Sequence, residues 1–208
     1  MSIDYTKLPA GLPVPEDDGR ASHLPGAALP PNALLATDGA LVRVDVVPDG
    51  MERLVLYAYP RTGRPDEEPL TPDWDMIPGA RGCTPESCGF RDHRADLEQA
   101  GAAVAGISTE PTDVQRGLVE RLGLPFPLLS DADLALTRAL DLPTFTVAGH
   151  TLLKRLTMVI RAGAIEHVFY PVFPPDIHAQ AVLEWVLAHP VNRAPRRTRP
   201  RSRQGPCT

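Results

Sequence analysis

The chain has 208 residues, a formal net charge of −5, 24 prolines and three cysteines. That length suits one domain with appendages, and no apolar run approaches the ~18 residues a membrane-spanning helix needs. The acidic balance argues against nucleic acid as a partner, and so few cysteines exclude a disulfide-stapled scaffold.

Residues 1–35 are rich in Pro, Gly and Ala without a sustained period and read as an extended N-terminal arm that wraps or dangles. Their start combines acids and prolines where a secretory leader needs a basic end and an apolar run. A reducing, cytoplasmic setting is the default expectation. The main domain is expected over 36–190. Residues 41–47 alternate apolar and polar behind the turn Thr37-Asp38-Gly39 and predict a strand. Residues 54–59 form a continuous apolar run, the pattern of a central strand covered on both faces. Pro60 ends it, and a long loop rich in Pro, Asp and Glu runs from Arg61 to Gly82.

The stretch Gly82-Cys83-Thr84-Pro85-Glu86-Ser87-Cys88 then opens a helix. Thr84 is expected to cap it, Pro85 to fill its first position and Gly101 to stop it, with Phe90, Leu97 and Ala100 on one face. A thiol at a helix N-terminus sits among unpaired backbone N–H groups that favour negative charge. This predicts a Cys83 pKa below the ~8.5 of a free thiol. Cys88 follows five residues later. In an intact helix two such Cα atoms are about 8.6 Å apart, and a disulfide spans no more than ~7 Å. Bonding them requires the helix to open. On the residues alone two blander readings stand beside this one. The pair could be buried structural thiols, or a metal site, although Cys-x4-Cys lacks a second matching pair.

Further along, residues 102–107 predict a strand, 112–122 a helix stopped by Gly123, 126–129 a strand and 131–140 a helix. Residues 152–160 and 165–170 predict a hairpin about Arg161-Ala162-Gly163-Ala164. A last helix follows from an Asp176 cap through Ala181, Trp185 and Val186. Arg155 interrupts the apolar run Leu152-Leu153-Lys154-Arg155-Leu156. It points inward only if an anion awaits it, and otherwise faces water from an edge strand. His93 and the other histidines read as surface side chains. Residues 191–208 hold Arg193, Arg196, Arg197, Arg199, Arg201 and Arg203 without an acid, and read as a disordered Arg/Pro-rich tail that includes Cys207. The order of elements implies an α/β fold, a thioredoxin-like three-layer α/β/α sandwich with a mixed central sheet.

The segment from Gly82 to Cys88, continued by Gly89-Phe90-Arg91-Asp92, resembles the Gly-Cys-Thr-x-x-x-Cys-x-Phe-Arg-Asp signature of the Q-type peroxiredoxins, the bacterioferritin comigratory proteins. The likeness continues through Gly106-Ile107-Ser108, residues 122–131 and residues 154–160. It implies a thiol-dependent peroxidase reducing hydrogen peroxide and organic hydroperoxides. Cys83 would be the peroxidatic cysteine, its sulfenic acid resolved by Cys88, and Arg155 the cation that holds thiolate and peroxide. The resemblance also implies no metal or organic cofactor, thioredoxin or another thiol reductant as partner, and a monomer or homodimer; charge and the missing apolar run argue against nucleic acid and membrane. Pro60 matches the family's active-site proline, but it lies 23 positions before Cys83 rather than seven. Ala80 stands where the family carries a Thr or Ser. Thr62 or Thr84 is the expected replacement hydroxyl, so Pro60, Thr62 and Thr84 are the expected substrate-binding residues. Two other functions fit the fold: a redox-responsive binding or sensor protein, and a thiol-disulfide oxidoreductase, whose usual Cys-x-x-Cys is missing.

Overall fold

A computed structural model describes residues 7–64 and 67–191. Its central strand is β3 (Arg53–Ala58), buried along its whole length. Leu54, Leu56 and Ala58 enter one core, and Val55 and Tyr57 enter the other, as the two-residue period of a strand requires. β3 pairs in parallel with β4 (Ala102–Ser108) and antiparallel with β8 (Leu156–Arg161). Together with β1 (Ala33–Ala36), β2 (Leu41–Arg43), β5 (Leu128–Ser130) and β9 (Ala164–Phe169) they form one mixed sheet. Its strand order is β2-β1-β5-β4-β3-β8-β9.

Helices α1 (Cys83–Asp92), α2 (Arg94–Gln99), α3 (Thr112–Leu122) and α5 (His178–Ala188) pack on one face through Phe90, Leu97, Leu118 and Val182. The other face is covered by Leu136 of α4 (Ala135–Ala139) and by Leu24 and Leu29 of the N-terminal segment. The expected layered α/β fold is present.

Several local expectations are corrected. Of the two forms open to the N-terminal arm, wrapping or dangling, its described part from residue 7 takes the first, and packs into the core. Ala21, Leu24 and Leu34 are core residues, β1 lies at the end of the segment, and Ala28 bridges to Ala164. Asp18 fastens this stretch by accepting from Lys154 Nζ at 2.6 Å and Tyr170 OH at 2.7 Å. Its apolar residues are too irregularly spaced to show a period, because they plug a sheet face instead of forming a helix stripe. The predicted helix from Thr84 to Gly101 breaks at His93, where backbone and ring both turn back toward the Gly89 carbonyl. The predicted Thr84 cap is displaced as well. The helix begins at Cys83, and Gly82 precedes it with φ 111°. A Cβ there would fall 2.3 Å from Pro175 Cγ, so conformation and space both demand glycine.

The predicted strand 152–160 is two strands. β7 (His150–Leu153) forms a separate hairpin with β6 (Thr144–Val147), which the sequence did not reveal, and β8 joins the main sheet. The chain changes sheets at Lys154-Arg155, which frees Arg155 to point inward. The inserted stretch 61–82 contains a 3-10 turn, Trp74–Met76. Trp74 packs with Ala80 and Leu152, its ring 6.4 Å from that of Phe145. The insertion is thereby fastened to the β6–β7 hairpin. The Arg-rich stretch from Arg193 onward and Cys207 lie outside the described residues.

Candidate active site

Cys83 is the first residue of α1 and is 3% exposed. Arg155 reaches it from the bend between β7 and β8. Its Nη2 donates to the Cys83 sulfur at 3.2 Å, and to the carbonyls of Arg81 at 3.3 Å and Gly79 at 3.4 Å. Its Nη1 pairs with the Glu86 carboxylate, which is fully buried. Arg155 therefore points inward toward two acids, and the edge-strand reading of this residue is set aside. The Cys83 thiol donates to the Ala80 carbonyl at 3.8 Å.

The expected fall in the Cys83 pKa is corrected. Burial pushes the thiol up, Arg155 pulls it down, and Glu86 opposes that pull, so the net direction is upward. The helix N-terminus alone would have favoured a thiolate, but desolvation and a second acid on the same cation outweigh it. Burial likewise pushes Glu86 up to about 7 against the pull of Arg155, and its Oε1 has no hydrogen-bond partner. Burial also works against the Arg155 charge, but Glu86 and Cys83 more than compensate and hold the guanidinium protonated.

Behind the cluster, Tyr57 OH donates to Ser87 Oγ at 3.1 Å and its ring stacks on Phe90 at 4.4 Å. His178 Nε2 lies 2.8 Å from Thr157 Oγ1, and burial, aided by Arg155, pushes this imidazole down to about 3. The expectation that every histidine is a surface side chain fails at His178, which is buried and neutral.

The expected substrate-binding residues separate. Pro60 is buried at the end of the β3 run. Thr62 is not available as an open hydroxyl: its N–H and Oγ1 both donate to Glu110, at 3.2 and 3.1 Å. Thr84 Oγ1 is buried beside Cys83 in α1 and has no partner. A cavity of about 330 Å³ ends on Arg155, lined by Val14 and Pro15 of the N-terminal segment, Gly79 of the insertion, Phe145 and Val172. Cys88 is half-buried, both thiols are free, and α1 runs unbroken through them. Among the described residues, no group of three His, Cys, Asp or Glu side chains is gathered as a metal site would require.

Sequence reasoning missed Glu86 and Glu110. Glu86 had a usable signal, since it lies three residues after Cys83 and so shares its helical face. Glu110 had none, because its partner Thr62 belongs to a loop of undetermined path.

The AhpC/TSA family model matches residues 76–168. Peroxiredoxin Bcp of Escherichia coli (strain K12) is 32% identical over 142 residues, which cover 66% of this chain and 80% of that protein. The chloroplastic peroxiredoxin Q of Oryza sativa subsp. japonica is 28% identical over 190 residues, covering 88% and 78%. Among solved structures, peroxidoxin BcpB from Mycobacterium tuberculosis superposes with a TM-score of 0.64 at 28% identity, covering 80% of this chain and 99% of that one. Peroxiredoxin Q from Xanthomonas campestris gives 0.58 at 26%, covering 76% and 91%. A buried cysteine at a helix mouth beneath an arginine, carried on this sheet and with these relatives, leads to one conclusion: the chain belongs to the peroxiredoxins, of the Bcp and peroxiredoxin Q kind, and is a thiol-dependent peroxidase.

Proposed function

We propose that the protein reduces hydrogen peroxide and organic hydroperoxides with the Cys83 sulfur as nucleophile and Cys88 as resolving thiol. The observation that carries this reading is the 3.2 Å contact between Arg155 Nη2 and Cys83 Sγ in a buried site. A guanidinium cannot release its proton, so it offers a fixed positive fork to the thiolate and to the peroxide oxygens as the O–O bond breaks. The unpartnered Thr84 hydroxyl is free to hydrogen-bond the bound peroxide.

Attack forms an S–O bond, breaks the O–O bond and leaves a Cys83 sulfenic acid plus water or alcohol. The Cys88 thiolate then displaces hydroxide from that sulfur to give a Cys83–Cys88 disulfide. A dithiol reductant of the thioredoxin type returns both to thiols by exchange. Both cysteines lie on α1 of one chain, so the cycle is available to a monomer and to a homodimer alike. A reducing cytoplasmic setting suits the free thiols. No helix among the described residues is long and apolar enough to cross a membrane.

Peroxide consumption with a regenerating thiol tests the reading. Wild type should turn over many equivalents, Cys83→Ser none, and Cys88→Ser should stop after one equivalent when a protein dithiol is the reductant. One slow stoichiometric oxidation of the wild type would instead mark a sensor.

A further inference from the structure

We propose that Glu86 is the proton carrier of the peroxidase reaction: it takes the proton from Cys83 before attack and delivers it to the leaving oxygen. This rests on Cys83 as the attacking residue. Cys83 and Glu86 lie three residues apart on one face of α1 and bracket a single guanidinium, Nη2 of Arg155 on the sulfur and Nη1 on the carboxylate. All three side chains are buried. One buried cation compensates one anion, and a second uncompensated charge costs several kcal/mol at such a site. The cluster therefore holds one anion at a time, either thiol with carboxylate or thiolate with carboxylic acid. Glu86 Oε1 has no partner and the Cys83 thiol donates to the Ala80 carbonyl, so the proton passes once the thiol turns from Ala80 toward this open carboxylate oxygen, directly or through one water.

Among the described residues the neighbouring titratable groups offer no other carrier, and the hydroxyls of Thr84 and Ser87 can relay a proton but not hold one in store. Arg155 keeps its protons. Burial pushes the hydroxyls of Tyr57 and Tyr59 far above neutrality. His178, packed behind Arg155 from α5, is pushed down to about 3 and lies against Thr157 of β8. Ser87 accepts from Tyr57. Glu86, pushed up to about 7, titrates where a carrier operates well.

The steps balance. Cys83 thiol and Glu86 carboxylate give thiolate and carboxylic acid. The thiolate then attacks the terminal oxygen of the hydroperoxide and the O–O bond breaks. Sulfur loses two electrons to become the sulfenic acid, and the departing alkoxide takes the Glu86 proton to leave as alcohol. The carboxylate is restored and again pairs with Arg155.

Glu86→Gln tests this, because glutamine can still accept from Arg155 but cannot carry the proton. The probes are tert-butyl hydroperoxide, whose alkoxide needs a proton to leave, peracetic acid, whose acetate does not, and iodoacetamide, which measures thiolate alone. E86Q should lose on the order of a hundredfold with tert-butyl hydroperoxide and stay within a few-fold of wild type with peracetic acid. It should also alkylate Cys83 at lower pH than wild type. Equal losses with both peroxides, or no loss with either, would overturn the proposal. If E86Q does not fold, Glu86→Asp carries the test: its shorter reach must slow tert-butyl hydroperoxide more than peracetic acid, and equal slowing overturns it. Mapping the sulfenic acid by mass spectrometry in each protein separates the two layers. Oxidation at a residue other than Cys83 would refute the nucleophile assignment, not the proton path alone.

Discussion

Arg155 Nη2 stands 3.2 Å from the Cys83 sulfur, while the other arm of the same guanidinium holds Glu86. The bend between β7 and β8 carries Arg155 to that contact, whereas a continuous strand would have kept it in register with β3. Replacing Arg155 by Met removes a charged hydrogen bond at the reacting atom, worth ~1.5–3 kcal/mol, and leaves two buried acids without a cation. We expect the peroxide rate to fall by roughly ten- to a hundredfold or more while circular dichroism stays native. Unchanged turnover would show that the guanidinium plays no part in the chemistry.

Resolution demands movement. Cys83 and Cys88 occupy an unbroken α1, with Cα atoms about 8.6 Å apart by helix geometry, so disulfide formation must unwind the segment between them. Amide exchange across 84–91 should rise after one equivalent of peroxide and return to its former level with dithiothreitol. Full protection in the oxidised protein would place the resolving thiol elsewhere, with Cys207 the first candidate.

The insertion packs beside the thiol, and we expect it to limit access to Cys83. Trp74, buried against Ala80, Leu152 and Phe145, anchors the loop whose carbonyls at Gly79 and Arg81 receive Arg155. Trp74→Ala should loosen that loop and speed alkylation of Cys83 by an uncharged reagent severalfold at constant pH, without comparable change at Cys88. Identical alkylation rates would mean that the loop does not gate the site.

Glu110 gives the stability a pH dependence of predictable sign. Burial pushes its carboxyl up to about 7 although Thr62 donates to it twice. An unfolded glutamate ionises above about 4.5. Between these values the unfolded chain has released a proton that native Glu110 keeps, so stability falls as pH rises through the window. The contribution is at most about 3 kcal/mol, and Glu86 adds to it in the same direction. His178 opposes both: held neutral, it costs stability as pH falls below its ordinary range. Melting curves of wild type and Glu110→Gln at pH 5 and pH 8 isolate the Glu110 part. The variant should gain on wild type as pH rises, and parallel profiles would contradict the assignment.

The central layout was legible because it rests on local signals. The apolar run at 54–59, the helix at 112–122 with Gly123 behind it, and the turn at Ala162-Gly163 carry their structure in adjacent residues. Cys83, Cys88 and Arg155 announced themselves as two thiols at a helix start and a cation in an apolar run. What stayed hidden was long-range. The partner of Thr62 is Glu110, 48 residues away, and the split of the 152–160 run depends on where Arg155 finds its anions. The Cys83 pKa direction was misread for the same reason: helix position is visible in sequence, whereas burial beneath an inserted loop is not.

The most direct test of the account is intact-mass and peptide analysis after one equivalent of hydrogen peroxide, compared between wild type, Cys83→Ser and Cys88→Ser. Wild type should lose two hydrogens and yield a Cys83–Cys88 linked peptide, Cys88→Ser should carry a sulfenic acid on Cys83, and Cys83→Ser should remain unmodified. Rapid oxidation of Cys88 in the Cys83→Ser protein would contradict it and reverse the roles of the two thiols.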